Sequence, residues 1–119
     1  MADEEAVRAI AESKEVLIET SDGGRRGRTI IWTAPHEGEI YIRSYLGDRG
    51  VWYQRALANP EVTLSVGEVS VPLTAVPARD PDSIEAATQG FLDKYGPSGS
   101  RDAMVADEVL HTTMRLEAR

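Results

Sequence analysis

Residues 52–62 read Trp52-Tyr53-Gln54-Arg55-Ala56-Leu57-Ala58-Asn59-Pro60-Glu61-Val62. The stretch begins as a helix and passes directly into a strand. Asn59-Pro60 stops the helix, because a residue before proline is pushed out of the α region. The helix is therefore short, from Val51 to Ala58. Val62-Thr63-Leu64-Ser65-Val66 continues as a strand, and Val69 to Val76 returns beside it across a Gly67-Glu68 turn. Pro72 within the returning strand fits an edge or a bulge.

The same reading extends upstream. Asp3 is placed as the cap of a short helix over residues 3–13, with Ala6, Val7, Ile10 and Ala11 on one face. Val16 to Thr20 reads as a buried strand, and Ser21-Asp22-Gly23-Gly24 as a turn whose glycines are free to take positive φ. Thr29 to Thr33 is a second strand, rich in β-branched residues. Pro35-His36-Glu37-Gly38 turns the chain. Ile40-Tyr41-Ile42-Arg43-Ser44 then alternates, with Ile40 and Ile42 on one face and Tyr41 and Arg43 on the other.

Downstream, Asp80 caps a helix with Pro81 at its first position. Ile84, Ala87, Thr88, Phe91, Leu92 and Tyr95 form its apolar stripe, and Gly96-Pro97 ends it. Residues 101–110 add a short helix, and Thr113 to Leu116 a closing strand. Tight turns between successive strands predict antiparallel pairing. Six strands in so small a domain gain from closing on themselves, because closure removes exposed edges. The expectation is one α+β domain over residues 1–119, a small six-stranded antiparallel barrel with helices outside.

Composition narrows the function. Of 119 residues, 41% are hydrophobic and 28% charged, ordinary values for a chain that buries one core. The absence of cysteine excludes disulfides, thiolate nucleophiles and iron–sulfur clusters. No apolar run is long enough for a membrane span, and the acidic start Met1-Ala2-Asp3-Glu4-Glu5 is unlike a secretory signal. The reading is a cytoplasmic protein with no membrane partner.

A net charge of −7 argues against nucleic-acid binding. Yet Arg25, Arg26, Arg28, Arg43, Arg49 and Arg55 cluster between residues 22 and 55, a pattern that suits one discrete anionic ligand. The plainer alternative is an arginine-rich solvated surface. Two isolated histidines, His36 and His111, give no nucleophile–base arrangement and no metal site.

The order Gly24-Arg25-Arg26-Gly27-Arg28-Thr29, then Gly38-Glu39-Ile40-Tyr41-Ile42-Arg43-Ser44, then Gly47, then Trp52-Tyr53 with Ala58-Asn59-Pro60, resembles the deazaflavin-dependent nitroreductases. These lie within the FMN-binding split β-barrel superfamily, together with the pyridoxamine phosphate oxidases. Thr113-Met114-Arg115-Leu116 fits an uncharacterised branch of the same superfamily. The chain departs from the pattern at three places. The first turn carries Arg25 or Arg26 where the family has lysine, without the neighbouring Ser/Thr. Arg55 falls where an asparagine is usual. Arg43 replaces an apolar or small residue.

The resemblance implies a split barrel that binds FMN or coenzyme F420, with the cofactor at the interface of a homodimer. It places Arg28, Arg43 and Arg55 around one groove as phosphate forks. Thr29 and Ser44 are candidate hydroxyl donors, and Trp52 a candidate for stacking. The helix beginning near Val51 offers free N–H groups to an anion, provided that Asp48 faces away. The implied activity is an oxidoreductase passing hydride to a small unsaturated or quinone-like acceptor, with the cofactor carrying the chemistry. The alternative is a non-catalytic module that binds a cofactor or another anionic metabolite. At the level of residues, Arg43 has the alternative of a solvent-facing strand residue paired with Glu39 or Glu61, and Arg55 that of a helix-surface charge. Trp32 and Tyr41 are assigned to packing.

Overall fold

The computed structural model describes residues 4–22 and 24–119, apart from the side chains of Asp22 and Arg25. The Asp3 cap, the conformation of Gly23 and the role of the Arg25 side chain lie outside the described residues. Helix α1 spans Glu4–Glu12, followed by strands β1 (Val16–Asp22), β2 (Arg25–Ile31), β3 (Ala34–His36) and β4 (Glu39–Ile42). A 3-10 turn at Gly47–Arg49 leads into α2 (Val51–Ala58), then β5 (Glu61–Val66) and β6 (Val69–Pro77). Next come α3 (Pro81–Lys94), α4 (Gly99–Met104), a second 3-10 segment at Asp107–Thr112, and β7 (Met114–Ala118).

The strands form one curled antiparallel sheet in the order β2-β1-β5-β6-β7-β4-β3. It is a split half-barrel of the expected α+β class, with seven strands where six were expected. The additional strand is β3, which begins at Ala34 and takes Pro35 and His36 from the expected turn Pro35–Gly38. His36 pairs with Glu39, so only Glu37 and Gly38 make the turn. Both have positive φ, 49° and 84°, the signature of a two-residue hairpin turn. Gly67, with φ 58°, opens the β5–β6 hairpin in the same economical way. Pro72 pairs only toward β5, because the β7 pairing of β6 starts at Leu73. Its missing donor therefore costs no ladder bond on the other side.

Several boundaries differ from expectation. β2 ends at Ile31, which leaves Trp32 and Thr33 in the crossover to β3. β4 ends at Ile42, so Arg43 and Ser44 leave the sheet. The expected helix over 101–110 divides into α4 and the second 3-10 segment.

The expected alternation in β4 separates two cores. Ile40 and Ile42 face the barrel interior with Ile18, Leu64, Val71 and Met114, capped by Ile10 of α1 and by Trp52, Tyr53 and Ala56 of α2. Tyr41 faces the other way, into a second cluster with Ala87, Phe91 and Tyr95 of the α3 face. Within that helix Gly90 is buried and Leu92 is exposed, the reverse of their expected weight in the stripe. Gly90 lets α3 come close: a Cβ there would stand 2.8 Å from the Pro35 carbonyl oxygen. Asp80 caps the helix as expected, accepting the Ser83 N–H at 3.0 Å. The Ser83 side chain first, and this N–H bond second, favour the charged form and lower the Asp80 pKa.

Candidate functional site

A cavity of about 560 Å3 opens where the edge of the sheet meets α2 and α4. Its walls are mostly apolar: Ile30 and Ile31 at the end of β2, Trp32 in the crossover, Val51 and Trp52 at the start of α2, and Met104 of α4. Thr29, Arg43, Ser44, Glu15 and Ser100 supply the polar wall. A volume of this size with few polar groups is typical of small-molecule and cofactor sites.

Of the six residues singled out in the sequence, Thr29, Arg43, Ser44 and Trp52 line this cavity together. Trp52 is buried and meets Tyr53 edge to face, with centroids 6.1 Å apart. It joins the core and one wall of the cavity at once. Thr29 is exposed on the edge strand β2.

Arg43 is 1% exposed and bound entirely within the chain. Its Nε donates to Thr113 Oγ1 (2.8 Å) and Nη1 to the Met104 carbonyl (3.0 Å). Its Nη2 donates to the Ile84 carbonyl (2.8 Å) and to Thr88 Oγ1 (3.0 Å). Four of the five guanidinium hydrogens are thereby engaged. The cation also lies 5.5 Å from the centroid of the Phe91 ring. No carboxylate pairs with it among the described residues, and burial lowers its pKa to about 10, so it stays charged at neutral pH. The surface pairing with Glu39 or Glu61 does not form; Glu39 instead lies 3.9 Å from Arg115. Arg43 ties β4 to α3, α4 and the segment before β7.

Ser44 is likewise committed. Its hydroxyl donates to the Gly47 carbonyl at 2.7 Å, and its N–H donates to Thr112 Oγ1 at 3.0 Å. The loop folds back so closely that a Cβ at Gly50 would collide with Ser44 Oγ. This sets the start of α2 against the cavity. Gly50 offers no side-chain cap, which leaves the first N–H groups of α2 unsatisfied by any side chain. Asp48 is directed elsewhere, to His111 Nε2 at 2.7 Å.

Arg28 and Arg55 stand outside the cavity lining, and the structure does not gather the three arginines into one groove. Strand alternation separates the first two. Arg28 points to the outer face of β2, where it meets Glu19 at 3.4 Å. Gly27 points to the opposite face, and the Arg55 guanidinium occupies the space where a side chain at position 27 would be. Arg55 has no ion-pair partner among the described residues. It shares the α2 face of Val51 and Trp52 at i−4 and i−3, which puts a cation just beyond the Thr29 end of the cavity.

The sequence reading missed Trp32 as a cavity wall. Its ring stacks on Tyr95, 63 residues later, with centroids 3.8 Å apart and planes 6° apart. Nothing local in the sequence announces that pairing. It missed Glu15, Ser100 and Met104 for the same reason. The rim of the cavity is apolar and exposed: Ile30, Tyr45, Leu46 and Val51 are each more than half accessible.

The curled antiparallel sheet and its flanking helices make this chain a split β-barrel by fold. Its structure is similar to that of the conserved hypothetical protein Rv2991 from Mycobacterium tuberculosis, with TM-score 0.73 and 19% identity over the whole of this chain and 81% of that one. An F420-H2 dependent reductase, FDR-A, matches with TM-score 0.65 and 18% identity over 87% of this chain and 94% of that one. A pyridoxamine 5'-phosphate oxidase-like protein from Listeria innocua matches with TM-score 0.64 and 13% identity over 95% of this chain and 90% of that one. No curated protein matches the sequence. Residues 6–116 match the family described as uncharacterized protein conserved in bacteria (DUF2255), and the chain belongs to that family.

Proposed function

We propose that this chain is an oxidoreductase that binds FMN or coenzyme F420 in the cavity beside α2 and reduces a small unsaturated or quinone-like acceptor. The observation that carries the reading is the cavity itself. It is an apolar slot with an indole wall at Trp52, an uncapped helix start at Val51 and a cation beyond its Thr29 end. Those features suit a planar tricycle with an anionic tail. The F420-H2 dependent reductase of the same fold supports it.

In this reading Trp52, Ile31 and Val51 hold the ring system, and Thr29 donates to its polar edge. The start of α2 and Arg55 face the anionic tail. Arg43 holds α3 and α4 in place around the cavity. The reduced cofactor supplies the hydride when bound, and the acceptor takes a proton from solvent. The apolar lining limits water at the ring face, and the open rim admits the solvent proton.

The exposed apolar rim extends the proposal to a homodimer. Ile30, Tyr45, Leu46 and Val51 form a patch around the cavity mouth of the kind that association covers. Light scattering tests this: a dimer supports a site closed by the second copy, and a monomer at micromolar concentration overturns it.

The second reading, a binding module without catalysis, is favoured by one observation. Arg43 and Ser44 spend their donors inside the chain, so fewer groups remain to grip and orient a ligand. Titration with FMN and with F420, followed by Trp fluorescence and by cofactor fluorescence, tests the primary proposal. Saturable binding of either cofactor, with turnover of quinones or enones, supports the oxidoreductase. Binding without turnover supports the module, and no binding of either up to about 50 μM overturns the cofactor site.

A further inference from the structure

The end of the cavity remote from Arg55 is organised by Tyr95. The ring of Tyr95 stacks on Trp32. Its hydroxyl accepts the Thr33 N–H at 3.3 Å and donates to the Lys14 carbonyl at 2.6 Å. One side chain therefore fixes both the crossover that carries Trp32 and the backbone that leads into Glu15. Antiparallel pairing of Val16 with Ile31 sets Glu15 across from Trp32, and both line the cavity.

The Glu15 carboxylate has no ion pair among the described residues. Lys94, which neighbours Tyr95, donates to Thr33 Oγ1 at 2.6 Å and lies 5.2 Å from the Tyr95 ring centroid, and it makes no ion pair with Glu15. Arg43, the cation of the cavity wall, is buried and distributes its charge over four oxygens. From Gly27 to Trp32 the chain runs roughly 17 Å, at about 3.4 Å per extended residue. Along its length the cavity has Arg55 beyond one end, the buried Arg43 cation in its wall and Glu15 at the other end.

An indole ring and an exposed carboxylate without an ion pair, set across from each other at one end of the cavity, suit a delocalised organic cation. The ring quadrupole attracts the charge, and the carboxylate complements it. We propose that the Trp32–Glu15 end of the cavity is a binding subsite for a planar organic cation, an N-alkylated heteroaromatic ring lying against Trp32 with its charge toward Glu15. The subsite binds its cation with or without the cofactor; only its use as the acceptor position rests on the oxidoreductase reading.

Calorimetric titration with 1-methylquinolinium and with quinoline tests the subsite, under mildly alkaline conditions where quinoline is neutral and without added cofactor. The two probes have nearly the same shape and differ in charge. The cation binds about tenfold more tightly than quinoline, and Glu15→Gln removes that preference while leaving quinoline unchanged. Glu12→Gln, at an exposed carboxylate near the end of α1, changes neither affinity. Equal affinity for the two probes, no binding of the cation, or a preference that survives Glu15→Gln overturns the subsite. So does an equal effect of Glu12→Gln, which would mean attraction to the overall negative charge. Because no cofactor is present, failure here is distinguishable from failure of the FMN or F420 site.

Discussion

The guanidinium of Arg55 lies against the backbone of Gly27, filling the space that any side chain at position 27 would take. The contact joins α2 to the edge strand β2 just beyond the cavity, and it depends on a strand residue without a Cβ.

Gly27→Ala displaces Arg55. The displaced atoms are the tip of a flexible side chain, so the expected loss of stability is small, below about 1 kcal/mol. The cation nevertheless leaves its position, and the affinity for FMN or F420 falls about tenfold, the scale of one charge-assisted contact. Fluorescence titration beside urea unfolding separates the two effects. Unchanged affinity would remove Arg55 from the site.

Arg43→Lys tests the opposite kind of arginine. Lysine keeps the charge but cannot reach Thr113, Met104, Ile84 and Thr88 with one planar fork. Two or more buried oxygens lose their donor, and the folded state is expected to lose about 2–4 kcal/mol. Urea unfolding measures it. A loss below about 0.5 kcal/mol would show that Arg43 does not hold α3 and α4 to the sheet.

Gly90→Ala asks how closely α3 packs on β3. The new methyl would stand 2.8 Å from the Pro35 carbonyl oxygen and 3.1 Å from Ala34 Cβ. Helix propensity favours alanine by about 1 kcal/mol, while overpacking costs about 1–3 kcal/mol. Backbone atoms cannot swing aside, so overpacking outweighs the propensity gain and a net destabilisation of up to about 2 kcal/mol is expected. A stabilised variant would mean that α3 moves away from β3 freely.

Lys94 gives stability a dependence on pH. Burial lowers its pKa from 10.5 to about 8. Between those values the unfolded chain holds a proton that the folded chain has released, so stability rises with pH across that window. Burial pushes the Tyr95 phenol up to about 12, and above its ordinary value of 10.0 the unfolded phenol ionises first, so its contribution falls with rising pH. The Lys94 effect is therefore cleanest from about pH 8 to about pH 10. Lys94→Met is expected to be more stable than the parent near neutrality, with the gap closing across that window. A constant difference in urea midpoints from neutral pH to about pH 10 would show that Lys94 is not desolvated.

Features with local causes follow directly from the residues present. Asn59-Pro60 ends α2, Asp80-Pro81 starts α3, and Gly67-Glu68 turns β5 into β6, each through the conformational limits of the residues present. The alternation of Ile40, Tyr41, Ile42 and Arg43 assigned their faces correctly, because a strand has no other choice. The layout of Trp52-Tyr53 and Ala58-Asn59-Pro60 carried the family resemblance. Four of the six candidate residues meet in one cavity.

Tertiary structure alone decided what those faces meet. Arg43 had the reading of a solvent-facing residue and Tyr41 that of a packing residue on the same face, and α3 covers both with Phe91, Ile84 and Thr88 from more than 40 positions away. Trp32 became a cavity wall because Tyr95 stacks on it, and Arg55 found its place because Gly27 is bare. β3 was hidden because Pro35 and Gly38 are turn residues by local propensity, and only pairing with β4 makes Pro35 and His36, with Ala34 before them, a strand. Local chemistry sets φ, ψ and periodicity within a few residues. Whether a cation reaches solvent, a ligand or four oxygens of its own chain depends on contacts between elements far apart in sequence.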